Sequence, residues 1–297
     1  MANSQFEAFL REEVNKVKGI YYPVRAGFLR RRFIRRADIR KLHPNPDDEF
    51  CYPEIGPNYS ILNDYAATYA RYGTKRADMQ FVNTTAKEPV EVERTMPDGY
   101  MILNGHHRWG GAIQAGQTKI SIRIIDLTRE TDIRKMLLKA KSDRRVTVDL
   151  DEVVFRTDQD PWLERKLRFP LNRQFKERIR LGIPALFQAL NGHGYDIWVF
   201  TSRYLSLDYL RYYFKHYHVH VTGIVTGTMR KGEDEEKKAE LKRLFEEKYN
   251  TTVTIDNEVV IRTREGSADF DEYRLSGSPE TWSREVLDVF EKMWKHE

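Results

Sequence analysis

The chain has 297 residues, 40% of them hydrophobic, 12% aromatic and 32% charged, a composition that suits a soluble protein of two domains and excludes a low-complexity or fibrous chain. Neither a long apolar run nor a signal-peptide pattern opens it, so a cytoplasmic protein with no membrane partner is expected. A single cysteine, Cys51, excludes internal disulfides and cysteine-rich zinc sites, while the net charge of +5 and pI near 9.0 point to an anionic partner.

In chain order, Gln5 to Lys18 reads as an amphipathic helix with Phe6, Phe9, Leu10 and Val14 on one face. A basic run, RRRFIRRADIRK from Arg30 to Lys41, carries much of the excess charge and is either a solvated face or a nucleic-acid contact. A Pro-, Asp- and Asn-rich stretch from His43 to Asn58 leads into a helix from about Tyr59 to Tyr72 that Gly73 ends. Pro89 to Arg94 and Tyr100 to Leu103 read as strands around an Asp98-Gly99 hairpin turn. Asn104-Gly105 breaks the second strand, a helix follows from His107 to Ala115, and Lys119 to Ile125 forms a further strand.

A Lys-rich segment from Asp132 to Asp143 reads as a connecting helix, which places a boundary near Lys141 and gives domains 1–140 and 141–297. Beyond it strands and helices alternate: a strand to Asp149, helix Pro184 to Asn191, strand Ile197 to Phe200, helix Leu207 to Tyr217, strand Val219 to Val225, helix Glu236 to Lys248 and strand Thr252 to Ile255. That alternation implies an α/β domain with a Rossmann-like parallel sheet covered on both faces.

In such a sheet ligands bind beyond the carboxyl ends of the strands. Three apolar strands run there into polar groups, at Asp149-Leu150-Asp151, Thr201-Ser202 and Asp256-Asn257-Glu258. One carboxylate of an Asp-x-Asp pair can attack phosphorus while the other serves as acid and base. Mg²⁺, held by Asp149, the Asp151 carbonyl and Asp256, relieves their mutual repulsion. The Thr201 hydroxyl and a lysine can contact the transferred phosphoryl group.

This pattern resembles the haloacid dehalogenase superfamily over Arg145 to the carboxyl terminus: VDLDEVVF at Val148 to Phe155, with β-branched Val153 in the expected place, IWVFTSR at Ile197 to Arg203, and TIDNE at Thr254 to Glu258. DLDE followed by VFTSR is similar to the small phosphatases that act on the RNA polymerase tail. The resemblance implies a Mg²⁺-dependent phosphoric monoester hydrolase with an aspartyl-phosphate intermediate, acting on a phosphorylated substrate. Its third motif is a lysine, best matched by Lys237, with Lys231 and Lys238 as alternatives. The stretch from Phe155 to Pro184 is too short for a large helical cap, so the resemblance implies an open site suited to a large substrate or covered by another domain.

PVEVERTMPDGYMILNGHHRWGGAIQAGQTKISIRII, Pro89 to Ile125, resembles the ParB and sulfiredoxin fold, an α+β domain. Gly105, His106, His107 and Arg108 open a helix and suit a phosphate. The resemblance implies nucleotide binding (ATP, ADP or CTP); the alternative readings are a bifunctional kinase and phosphatase, and a nucleic-acid-binding or nucleic-acid end-processing protein. His106 stands where sulfiredoxin needs cysteine, which excludes that activity. The arginine-rich box of ParB is not reproduced. Asn104 replaces the Asp of the free serine kinases, leaving Glu49 or Glu54 as substitute bases.

Overall fold

The computed structural model describes residues 2–80, 88–228 and 235–295, without the side chains of 74–80 and 235–238. The chain divides into two compact units, Met1–Asp126 and a second that begins at Leu127. Both are mixed α and β, and each contains parallel strand pairs.

The first unit runs α1 (Asn3–Val17), β1 (Tyr22–Pro23), α2 (Phe28–Phe33), β2 (Arg36–Asp38), β3 (Leu42–His43), α3 (Tyr59–Gln80), β4 (Val90–Met96), β5 (Tyr100–Asn104), α4 (His106–Gln114) and β6 (Lys119–Ile124). Its sheet order is β2-β6-β4-β5-β3, with β1 on β4. The hairpin at Asp98-Gly99 forms, and helical geometry in α3 breaks at Gly73, whose φ of 66° lies in the left-handed region. Helices α3 and α4 approach closely because α4 presents Gly110 and Gly111 to α1 and α3. A Cβ on Gly111 would stand 2.5 Å from the Tyr65 Cβ, and one on Gly110 2.8 Å from the Phe6 ring.

The second unit runs α5 (Glu130–Lys139), β7 (Arg144–Asp149), a π turn (Leu150–Val154), β8 (Phe155–Arg156), α6 (Leu171–Gln174), β9 (Arg178–Ile179), α7 (Ile183–Gly192), β10 (Asp196–Thr201), α8 (Leu207–His216), β11 (Gly223–Thr226), α9 (Glu235–Lys248), β12 (Thr251–Ile255), β13 (Val259–Arg264), β14 (Phe270–Arg274) and α10 (Trp282–Lys295). The sheet order is β11-β10-β7-β12-β13-β14. The first four strands are parallel, and β13 and β14 continue antiparallel. Alternate side chains of β7 enter opposite layers, so one face meets α7, α8 and α10 through Leu186, Phe187, Leu210, Phe214 and Phe290, all at most 2% exposed. Trp198 anchors the other face against Phe245 and Tyr249 of the α9 segment and against α5.

Three expectations change. The Lys-rich helix expected at Asp132 to Asp143 runs from Glu130 to Lys139 and is not a connector but part of the second unit, since Ile133, Met136, Leu137 and Ala140 pack on Trp198 and cover its sheet. The boundary therefore falls after Asp126, and Thr128 is tied to β11, its N–H donating to Thr226 Oγ1 at 2.9 Å and its hydroxyl to the Ile224 carbonyl at 3.0 Å. The strand expected from Val219 starts only at Gly223. Past Ile255, β13, β14 and α10 complete the unit, α10 with Trp282, Val286, Val289, Phe290 and Met293 on its buried face.

Gly223 faces the Trp198 ring so closely that an added Cβ would lie 2.1 Å from it, whereas Gly192 faces open space. Gly223→Ala should destabilise the second unit by about 1–3 kcal/mol, the usual cost of overpacking a core. Gly192→Ala should be neutral or stabilising. Urea unfolding of both variants measures this, and equal midpoints would contradict the packing.

Candidate functional site

The central strand β7 delivers Asp149 to the carboxyl edge of the second sheet. Phe200 pairs with Asp149 on one side and Ile255 with Val148 on the other, so Thr201 and Asp256 emerge from the two adjacent strands beside it. The chain then tightens into the π turn. Asp149 Oδ1 caps that turn, accepting the N–H groups of Asp151 at 2.7 Å and Glu152 at 2.9 Å. Its Oδ2 accepts nothing from a described residue.

Asp151 is held differently. Its two carboxylate oxygens accept the Thr201 hydroxyl at 2.8 and 2.9 Å, and its Oδ2 also accepts the Ser202 N–H and hydroxyl, each at 2.9 Å. Charge-assisted bonds of this kind fix the carboxylate in one orientation. The sequence expectation puts the Thr201 hydroxyl on a phosphoryl group. In the structure that hydroxyl donates to Asp151, and Thr201 is fully buried. Ser202 also donates to Asp151 and escaped the sequence reading, although it stands in the same TSR triplet.

Asp256 is exposed, and among the described residues its Oδ1 accepts only the N–H of Asn257. Asn257, also missed, ties the site together: its Nδ2 donates to the Glu152 carbonyl at 3.1 Å, and its Oδ1 accepts Arg156 Nη2 at 2.6 Å and Arg180 Nη2 at 3.0 Å. Burial lowers the Arg156 guanidinium from its ordinary value. Lys237 falls in the first turn of α9, and its side chain lies outside the described residues, as does Lys231 entirely; the Lys238 side chain is likewise outside them.

No group of three His, Cys, Asp or Glu side chains among the described residues could hold a metal. The donors fit a sparser ligand set. Asp149 Oδ2 and Asp256 Oδ2, at adjacent strand ends, accept no hydrogen bond from a described residue, and Mg²⁺ is commonly bound by one or two carboxylates, with phosphate oxygen and water completing its shell.

In the first unit, Gly105 adopts φ 100° and α4 starts without a side-chain cap on its first N–H groups. This turn lines an open pocket of about 340 Å³ together with Asp48, Tyr65, Glu88 and Asn104. Arg108 folds back over Gly105, where a Cβ would stand 2.8 Å from its Nε, and donates to the Glu88 carbonyl. The two histidines act as staples: His106 Nε2 accepts the Asn45 N–H at 3.2 Å and His107 Nε2 the Asn58 N–H at 2.9 Å. Both histidines line the pocket, and their Nε2 atoms fasten the Pro- and Asp-rich loop, whose Phe50 packs on both rings. Glu49 is exposed in a short 3₁₀ turn of that loop, and Glu54 is exposed nearby; neither lines the pocket. Burial pushes the Cys51 thiol up to about 12, which keeps it protonated.

No protein-family model and no curated protein sequence matches the chain. Among solved structures it is similar to the C-terminally truncated chromosome-partitioning protein ParB from Caulobacter crescentus complexed to the centromeric parS site, at 22% identity over 36% of this chain and 47% of that one, TM-score 0.22. The same protein complexed with CTP-γ-S matches at 25% identity over 37% and 55%, TM-score 0.23. The C-terminal domain of the coenzyme A biosynthesis bifunctional protein CoaBC matches at 14% identity over 53% and 99%, TM-score 0.19. The chain spans about half the length of the ParB structures it matches. No helix among the described residues is long and apolar enough to cross a membrane.

Burial lowers His107 and His43 from the usual imidazole value. The unfolded chain takes up these protons near pH 6.5 and the folded chain only at lower pH, so their contribution to stability is complete above about pH 6.5 and is lost as pH falls below it. The melting temperature should drop from pH 7 to pH 5. The drop should be smaller in His107→Gln, whose amide oxygen still accepts the Asn58 N–H. An identical pH slope in the variant would remove His107 from this account.

Proposed function

We propose that the second unit is a metal-dependent phosphoryl-transfer domain of the haloacid dehalogenase type, with Asp149 as nucleophile. The observation that carries this reading is the division of labour within Asp-x-Asp. Asp149 has one oxygen tied to the turn and one free, and Asp151, two residues on, is clamped by Thr201 and Ser202. Asp149 Oδ2 attacks phosphorus and the bond from phosphorus to the leaving oxygen breaks. Asp151, in its protonated form, supplies the proton to that oxygen. Water then attacks the aspartyl-phosphate with Asp151 taking its proton, which frees Asp149 and inorganic phosphate. A bound Mg²⁺, held by Asp256 and the Asp151 carbonyl beside the Asp149 carboxylate, would supply positive charge against the phosphoryl oxygens.

Asp149→Asn should release no phosphate from any monoester while unfolding at the same urea midpoint, because the amide keeps the shape and loses the charge. Chelation of Mg²⁺ should abolish turnover in the wild type. Steady phosphate release by Asp149→Asn, or full activity in metal-free buffer, defeats the proposal.

A second reading concerns the first unit, where the pocket at the start of α4 and the neighbouring Arg108 support binding of a nucleotide phosphate, as ATP, ADP or CTP. A kinase activity or a nucleic-acid contact through the basic stretch Arg30–Lys41 would build on that pocket. Charge-assisted hydrogen bonds contribute about 1.5–3 kcal/mol, so Arg108→Ala should weaken nucleotide binding by roughly tenfold to a hundredfold in calorimetry. Equal affinity in the variant would leave the pocket without this role.

A further inference from the structure

Between β8 and β9 the chain inserts residues 157–177, and the part from Arg165 to Lys176 (RKLRFPLNRQFK) carries five cations and no acid. All five, Arg165, Lys166, Arg168, Arg173 and Lys176, are exposed. Lys166 reaches Asp158 at 4.0 Å, but no carboxylate among the described residues pairs with Arg165, Arg168, Arg173 or Lys176. Phe169 is 68% exposed, and the Arg173 guanidinium lies 5.0 Å from its ring centre. The segment is nonetheless anchored: Phe175 is buried against Tyr209 and Tyr213 of α8, and the Tyr217 hydroxyl donates to the Arg165 carbonyl at 3.3 Å.

Both ends of the insertion are bonded to neighbours of the site residues. Just before it, Arg156 donates to Asn257, next to Asp256; at its end, Glu177 accepts Arg203 Nη2 at 3.3 Å, next to Ser202. The insertion therefore starts and ends beside neighbours of the Asp149 site, and its cationic part is anchored along α8. A lone phosphoryl group needs none of these outlying charges. They suit a substrate that carries further negative charges away from the reacting one, and the exposed ring beside an arginine suits the face of an unpaired base. A lipid surface is the poorer fit, since α6, the helix within the segment, has only four residues and Phe169 is the segment's one strongly exposed apolar side chain.

We infer that the Asp149 site takes a phosphorylated end of a single-stranded polynucleotide, whose following phosphates lie along Arg165, Arg168, Arg173 and Lys176 and whose base stacks on Phe169. The inference rests on the phosphoryl-transfer reading for its chemistry, not for its binding surface.

The test uses the full chain, with 5′- and 3′-phosphorylated DNA and RNA oligonucleotides, p-nitrophenyl phosphate, a phosphopeptide and phosphatidylserine vesicles as probes. Four phosphate contacts to a single strand give a slope of about −3 for log affinity against log salt, and anisotropy should show that slope with wild type. Arg165→Gln/Arg168→Gln/Arg173→Gln should bring it to about −1, while the corresponding triple Lys variant should restore it. In the Gln variant the ratio of kcat/KM on the oligonucleotide to that on p-nitrophenyl phosphate should fall at least tenfold, and Phe169→Ala should weaken binding to single strands more than to duplex. Unchanged oligonucleotide binding in the Gln variant, or stronger binding of wild type to the phosphopeptide or vesicles, overturns the inference. If wild type binds the oligonucleotide in this manner but releases phosphate from no probe, the phosphoryl-transfer reading fails and the binding surface stands.

Discussion

Asp149 meets two demands with one carboxylate. The strand that carries it ends at the centre of a parallel sheet, and the chain must leave that strand through a tight turn whose first N–H groups need an acceptor. Oδ1 supplies it, to Asp151 and Glu152. This contact aims Oδ2 by default, because a carboxylate pinned through one oxygen by two short bonds has little rotational freedom left. The position of Asp151, the start of β8 and the path of the basic insertion all follow from where that turn begins.

Electrostatics sets the next constraint. Asp149, Asp151 and Asp256 are brought to neighbouring strand ends, and three like charges there oppose the fold unless something offsets them. Asp151 is offset within the protein by the Thr201 and Ser202 donors. Asp149 is offset on one oxygen only and Asp256 by a single N–H. Arg156 and Arg180 both donate to the neutral amide of Asn257, beside Asp256. Among the described residues, Asp149 Oδ2 and Asp256 Oδ2 are left without a hydrogen-bond donor.

Much of this layout was legible because strand ends announce themselves: Val146 to Val148, Ile197 to Phe200 and Thr252 to Ile255 are apolar or β-branched, and each gives way abruptly to acids or hydroxyls. The hairpin at Asp98-Gly99 and the break at Gly73 were legible for the local reason that glycine tolerates positive φ. What escaped depends on tertiary partners. A threonine at a strand end does not reveal whether its hydroxyl points to ligand or to Asp151, and two histidines at a helix start do not reveal that backbone N–H groups 49 and 61 residues upstream claim their rings. The density of lysines between Asp132 and Asp143 hid an amphipathic face, Ile133, Met136 and Leu137, that only Trp198 explains.

That hidden face bears on how the second unit could be inherited or excised as a module. A piece beginning at residue 141 would retain every residue of the Asp149 site and still lose the cover of one side of its sheet, leaving Trp198 and Phe245 without Ile133, Met136 and Leu137. It would also lose Thr128, whose backbone and hydroxyl fasten the edge strand at Ile224 and Thr226. The portable unit is therefore longer than the stretch that holds Asp149, Thr201 and Asp256, and recombination between the two halves would preserve the second one only if the crossover fell upstream of Leu127.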